Sequence, residues 1–125
     1  MDTSIFDAYW ADRQPDRSDM ADFWTRRASS FNAHGNEPDS SAYRQALVAK
    51  IAKRAGIDGQ CAVLDVGCGP GRHALDFAQL AGNVEGCDIA PGMIECASAN
   101  AAEASVGNAS FRVLDWAAAD LEELG

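Results

Sequence analysis

The sequence lacks the features that would place it in several large functional classes. No apolar run approaches the ~18 residues that a membrane-spanning helix needs, so no membrane partner is expected. The N-terminus, Met1-Asp2-Thr3-Ser4, has no basic segment followed by an apolar one, and no secretory leader is expected. The four cysteines, at 61, 68, 87 and 96, form no C-x-x-C pair, and His34 and His73 are not at metal-ligand spacing from them. The expectation is therefore no metal site, buried reduced thiols and a cytoplasmic chain. Positive charge is also scarce. Lys and Arg total 10 against 19 acidic residues, for a net charge of −9. Residues 61–125 hold only two basic residues, Arg72 and Arg112. Such a field repels phosphate backbones, so no nucleic-acid partner is expected. Repeats and low-complexity tracts are missing too.

What is present is a run from Val63 to Gly71, Val-Leu-Asp-Val-Gly-Cys-Gly-Pro-Gly. An apolar stretch meets an acid, breaks into glycines at 67, 69 and 71, and leads into a helical segment at 72–81. Strand, glycine turn and helix form the first half of a βαβ nucleotide-binding unit. Glycine suits the turn because it accepts positive φ and lets a ligand lie against bare backbone. The spacing is G-x-G-x-G, with Arg72 where the dinucleotide fingerprint G-x-G-x-x-G needs its third glycine. A nicotinamide-dinucleotide oxidoreductase is thus disfavoured. No Gly-Lys-Ser/Thr follows, so the run is not a phosphate loop.

Asp88 ends a second apolar stretch and lies 21 residues after Gly67. A carboxylate at the tip of the next strand is placed to accept from ribose hydroxyls.

Three segments, 63–71, 84–93 and 111–116, resemble the successive cofactor motifs of class I S-adenosylmethionine-dependent methyltransferases. The resemblance covers about residues 60–120. It implies an enzyme, with Gly67, Cys68 and Gly69 lining the methionine and adenosine portions of S-adenosyl-L-methionine. Asp65 would hold the loop and the amino group, Asp88 the ribose, and Ile89 and Met93 would flank adenine. Asp115 would accept from the adenine amino group, with Trp116 beside it. The pattern Trp24-x-x-Arg27 is similar to the N-terminal helix of small-molecule methyltransferases, where both residues close over the methionine end. An aromatic face beside a sulfonium is worth about 0.5–2 kcal/mol. The acceptor implied is a small molecule. No general base is identified, so catalytic residues stay unassigned.

The remaining elements follow from periodicity. Ile5, Phe6, Tyr9 and Trp10 are at i, i+4 spacing and predict a short helix over 3–10. A second helix is expected to start near Ser18 or Asp19, with Met20, Phe23, Trp24, Arg27 and Phe31 on one stripe packed against the nucleotide fold. Residues 32–41 read as a loop, which makes 1–41 a helical segment and possible lid ahead of a domain over 42–125. A helix at 41–55 has Leu47, Val48, Ile51 and Ala55 inward. Strands are expected at 62–66, 84–88 and 110–114, the first covered on both faces. The second inter-strand helix carries Ile94, Ala97, Ala101 and Ala104 inward. It begins at Pro91 behind Ala90, a residue that cannot cap it, a loss of about 1 kcal/mol. Residues 117–125 could form a short helix.

The predicted fold is α/β: a Rossmann-like three-layer fold, N-terminal half only, with parallel strands in the order 3-2-1 after N-terminal helices. The resemblance implies seven strands, and the chain has sequence for about three. Strand one would be an apolar edge. A truncated form, a split protein with a partner chain, and a homodimer pairing along strand one are expected in that order. The alternative function is a non-catalytic cofactor-binding fragment or subunit that needs a partner chain to complete the sheet.

Overall fold

Three apolar stretches become parallel strands: β1 (Ala62–Val66), β2 (Asn83–Asp88) and β3 (Ala109–Val113). They form one sheet in the order β1-β2-β3, the predicted 3-2-1 seen from the other edge. The register pairs Val63 with Val84, and Gly86 with Phe111. The structure is a computed structural model and describes residues 4, 5, 8 and 16–120. The predicted helix over 3–10 and the end of the segment 117–125 lie outside the described residues, apart from Ser4, Ile5 and Ala8 in the former and 117–120 in the latter.

Among the described residues the sheet is accompanied by the helices α1 (Arg17–Gly35), α2 (Pro38–Ala55), α3 (Arg72–Ala78) and α4 (Pro91–Glu103). A single 3-10 turn covers Trp116–Ala118. Right-handed crossovers place α3 and α4 on one face of the sheet. There Ala74, Ala78, Ala81 and Val84 are buried against Val63, Phe77 and Phe111. Alanines on the helix side let the helix backbone sit close to the strands. Val84 is fully enclosed, a burial worth about 1.5–3 kcal/mol.

The other face is open, contrary to the expectation that β1 is covered on both. Leu64 and Val66 are 43% and 44% exposed there, and Arg112 pairs across that face with Glu85 at 2.6 Å. The continuous apolar run of β1 therefore looks like a doubly covered strand without being one among the described residues.

Several boundaries differ from expectation. Asp16 caps α1, accepting from the backbone N–H of Ser18 at 2.8 Å, so the helix starts before the Ser18 and Asp19 that sequence favoured. The expected loop at 32–41 is mostly helix. Asn32 to Gly35 continue α1, Pro38 takes the first turn of α2, where its missing N–H costs nothing, and only Asn36 and Glu37 intervene. The boundary drawn at 41/42 falls inside α2. The helix expected over 72–81 stops at Ala78, and its continuation to Ala81 is a turn.

On α2, Val48 and Ala52 are buried while Ile51 and Ala55 face solvent. The helix is rotated from the expected face because Arg44 reaches inward to Asp76 on α3 at 2.6 Å. Gly56 ends α2 in the left-handed conformation, as its position suggested. On α4, Ile94, Ala97 and Ala101 are buried as expected, and Ala104 is exposed just past the helix end.

The largest change concerns α1. Its aromatic stripe does not pack on the α/β layer: Phe23, Trp24 and Phe31 are each more than a third exposed. The neighbouring stripe of small residues packs there instead. Ala28 is buried against Ala90 and Met93 at the start of α4, and Thr25 and Asn32 on the same face bond to α4. Spacing of three and four places these residues in one line. Thr25 Oγ1 accepts from the backbone N–H of Gly92 at 3.1 Å and so supplies the capping hydroxyl that Ala90 lacks. A Cβ on Gly92 would sit 2.8 Å from Thr25 Cγ2 and 3.0 Å from its Cα, so only glycine permits this approach.

Candidate functional site

The three strands end together, and the glycine turn after β1 spans residues 67–71. Gly67, Gly69 and Gly71 all have φ between 54° and 76°. The turn is tied to β2 by its own backbone. The N–H groups of Gly67 and Cys68 both donate to the Cys87 carbonyl, at 2.8 and 2.9 Å. The Gly69 N–H donates to Asp88 Oδ2 at 3.0 Å, and the Gly71 N–H to the Cys68 carbonyl at 3.0 Å. Residue 70 is a proline and has no N–H. A pyrophosphate in a dinucleotide fold is held by free turn N–H groups at a helix start. The N–H groups of turn residues 67, 68, 69 and 71 are already spent here, which agrees with the spacing argument against that ligand.

Above the turn lies a cavity of about 680 Å³, inside the usual range for small-molecule sites. One end is lined by Asp88, Ile89, Met93, Leu114, Asp115 and Trp116. The turn residues Gly67, Cys68, Gly69 and Pro70 form the floor, and Met20, Trp24 and Phe31 of α1 form a wall. The far end is lined by His34, Ser40, Tyr43, Arg44, Arg72 and His73.

Of the residues singled out from sequence, Gly67, Cys68, Gly69, Asp88, Ile89, Met93, Asp115, Trp116 and Trp24 line this one cavity. Asp65 and Arg27 do not. Asp65 is half-buried beneath the turn, and burial raises its carboxyl above the usual value, with His73 opposing the shift and Asp88 adding to it. Arg27 turns outward. Its guanidinium stacks 3.5 Å from the Phe23 ring centroid and donates to the Phe23 carbonyl. Its expected place at the methionine end is therefore corrected: a residue four after Phe23 shares Phe23's solvent side.

Asp88 uses both carboxylate oxygens locally, Oδ2 on Gly69 N–H and Oδ1 on Ala90 N–H at 2.9 Å. It fixes the turn to the start of α4 and still lines the cavity. A carboxylate has about four acceptor sites, so these two bonds leave capacity for a guest's hydroxyls. Asp115 Oδ1 accepts from Ala117 N–H at 3.1 Å and pairs with Arg17 at 3.0 Å, which joins the first residue of α1 to the rim. Burial and the nearby Asp65 and Asp88 push the Cys68 thiol up to about 12, so it stays neutral and is not a nucleophile. The four cysteines are all free, and Cys61 and Cys96 are only partly buried.

Sequence reasoning missed two contributors. Phe31, read as packing, has its ring beside the turn: a Cβ on Gly69 would lie 4.0 Å from Phe31 Cε1. Trp24 meets Phe31 edge-to-face at 6.1 Å. The other is Asn100, the one buried polar side chain among the described residues. It donates to the Pro70 carbonyl and to Asn32 Oδ1, both at 2.8 Å, and so joins the turn to α1. An asparagine inside an otherwise apolar helical stripe was the available signal.

Comparison with known proteins agrees with this geometry. Residues 63–124 match the family model described as a methyltransferase domain. Aklanonic acid methyltransferase DauC of Streptomyces sp. (strain C5) is 46% identical over 56 residues, covering 42% of this chain and 26% of that protein. An RNA methyltransferase from Salinibacter ruber, solved with S-adenosyl-L-homocysteine, is 31% identical with a TM-score of 0.56, over 62% of this chain and 52% of that one. Magnesium protoporphyrin IX methyltransferase from Synechocystis PCC 6803 shares the fold, with a TM-score of 0.70 at 22% identity over 85% of this chain and 54% of that one. The chain thus spans about a quarter of the curated relative and about half of these two solved chains. Through the domain in its second half, this chain belongs to the class I S-adenosylmethionine-dependent methyltransferase family.

Proposed function

We propose that this chain binds S-adenosyl-L-methionine and is the cofactor-binding portion of a methyltransferase acting on a small molecule. The observation that carries the reading is the cavity at the strand ends, where Asp88 joins the glycine turn to β2 and faces the guest. The cradle fits the cofactor: a Cβ on Gly67 would meet nothing within 4 Å, so the floor there is bare backbone beside open space. In this reading Gly67, Cys68 and Gly69 take the methionine and adenosine portions and Asp88 the ribose. Ile89 and Met93 flank adenine, with Asp115 and Trp116 at its edge. Asp65 acts from below the turn on its conformation. Trp24 and Phe31 offer ring faces to the sulfonium, a cation–π contribution of about 0.5–2 kcal/mol.

When bound, the cofactor supplies a methyl group already activated on sulfur, so the protein's part is to orient and to exclude water. The roof formed by α1 serves both purposes. A small-molecule acceptor is favoured by the relative's name, which specifies aklanonic acid, and by the net charge of −9, which disfavours a polynucleotide. Free thiols accord with a cytoplasmic setting.

Titration of the purified chain with S-adenosylmethionine, S-adenosylhomocysteine and NAD tests the reading. The two sulfur nucleosides bind and NAD does not. Asp88→Ala weakens S-adenosylhomocysteine by about tenfold or more, from the loss of charge-assisted bonds. Unchanged affinity in that variant removes the ribose assignment. A second reading, a non-catalytic subunit completed by another polypeptide, is favoured by the open sheet face carrying Leu64 and Val66. Size-exclusion chromatography separates a clean monomer from a chain that pairs with itself along β1.

A further inference from the structure

Arg17 stands at the first position of α1, where a positive charge opposes the helix dipole. Local helix energetics therefore do not account for an arginine there. Asp16 caps the helix at this residue, and Arg17 lines the cavity. Of the arginines in that lining, Arg44 and Arg72 stand at the far end. Arg17 stands at the opposite end, with its Nη1 3.0 Å from Asp115 Oδ1.

The bonding of Asp115 is one-sided. Oδ1 takes Arg17 and also accepts from the Ala117 backbone N–H at 3.1 Å. Oδ2 has no partner among the described residues. The Ala117 bond is a local one, two residues along the chain, and by itself lets the carboxylate swing about it. A second donor arriving from α1 removes that freedom and fixes the carboxylate plane. Oδ2 is then left with its full acceptor capacity in the cavity wall.

We propose that Arg17 is a positioning residue for recognition of the base: it holds Asp115 so that Oδ2 receives the exocyclic amino group of adenine and turns away a purine with a carbonyl in that place. The proposal rests on the cofactor reading above and deepens it, because the choice of base then depends on the roof helix. An amino group donates to the waiting oxygen. A carbonyl sets lone pairs against lone pairs and leaves Oδ2 without a donor.

Calorimetry with S-adenosylhomocysteine and S-inosylhomocysteine, which carries a ring carbonyl in place of the amino group, tests the assignment. The Arg17 side chain is 43% exposed, so replacing it spares the fold. Wild type prefers the adenosyl compound by about tenfold or more. Arg17→Gln lowers that preference by about three- to fivefold, through weaker binding of the adenosyl compound alone. Arg17→Lys keeps a cation within reach of Oδ1 and retains most of the preference. Added salt lowers the preference in wild type and not in Arg17→Gln. In an Asp115→Asn background Arg17→Gln changes the preference no further, since Arg17 acts only through that carboxylate. Equal weakening of both compounds by Arg17→Gln would mark a plain packing contact and overturn the proposal. An unchanged preference in that variant, or a wild-type chain that binds the two compounds alike, overturns it too. A wild-type chain that binds neither overturns the cofactor reading itself, and that result appears before any variant is made.

Discussion

Gly67 and Gly71 share a backbone conformation and differ in what surrounds them, so alanine at each separates two energies. Both have φ near +70°, at 71° and 76°. A left-handed conformation costs an L-residue about 1–2 kcal/mol. At Gly67 a new Cβ meets nothing within 4 Å, so Gly67→Ala should lose only that amount of stability. At Gly71 the Cβ would lie 2.8 and 2.9 Å from Phe111 Cζ and Cε1 and 3.0 Å from Ala97 Cβ. Relieving such overpacking costs about 1–3 kcal/mol more, which brings the expected loss for Gly71→Ala to about 2–5 kcal/mol. Urea denaturation with linear extrapolation measures both. Binding should rank them the other way. The methyl of Gly67→Ala occupies the open space assigned to the cofactor, so S-adenosylhomocysteine affinity falls although the fold hardly weakens. Phe111→Leu should return part of the stability lost in Gly71→Ala and none of that lost in Gly67→Ala. Equal stability losses in the two variants, or wild-type affinity in Gly67→Ala, would refute the reasoning.

Arg44→Met strands the buried Asp76 carboxylate and should cost about 3–5 kcal/mol, whereas Arg44→Met with Asp76→Leu recovers most of it; a single-variant loss near zero in chemical denaturation would show the pair to be dispensable. Asp65 binds its proton more tightly folded than unfolded, so stability falls as pH rises from 3.8 through the raised value. Thermal melts across that window should therefore show wild type losing ground to Asp65→Asn as pH increases, and parallel curves would contradict the shift. Gly92→Ala drives a methyl into Thr25 and should release α1 from α4, and Thr25→Val removes the shared cap at about 0.5–2 kcal/mol. Both should speed tryptic cleavage at the exposed Arg26 and Arg27, and unchanged digestion would mean that α1 docks without them.

The parts visible in the sequence were those fixed by local rules. Val63 to Gly71 announced strand, turn and helix, because an apolar run followed by alternating glycines has few other conformations. Asp88 was placed by its distance along the chain, since a βαβ unit returns the next strand tip to the same edge. The helical end of α1 was hidden because Gly35 and Pro38 signal a break, and the break is only two residues long. The docking face of α1 was hidden for a different reason. Hydrophobic periodicity points to Phe23, Trp24 and Phe31, yet close helix contact selects small side chains, and Thr25 and Ala28 carry little hydropathy. Arg27 was misplaced by the same weighting. Asn100 stood out within an apolar stripe, but its role, like that of Arg44, was illegible because their partners, the Pro70 carbonyl and Asp76, come from other elements.

The roof helix is fastened at both ends and, between them, by Thr25 and Ala28 against the start of α4. At one end Arg17 meets Asp115 in a largely solvated ion pair, worth about 0–1 kcal/mol. At the other, Asn32 is engaged by Asn100 and Arg72 through bonds sheltered from water. A strut pinned this way is held from Thr25 onward, and the part left to lift is its first two turns, ahead of Thr25. The doorway for a nucleoside therefore opens on the Asp115 side, and added salt, by loosening that latch, should quicken uptake even as it leaves the rest of the helix docked.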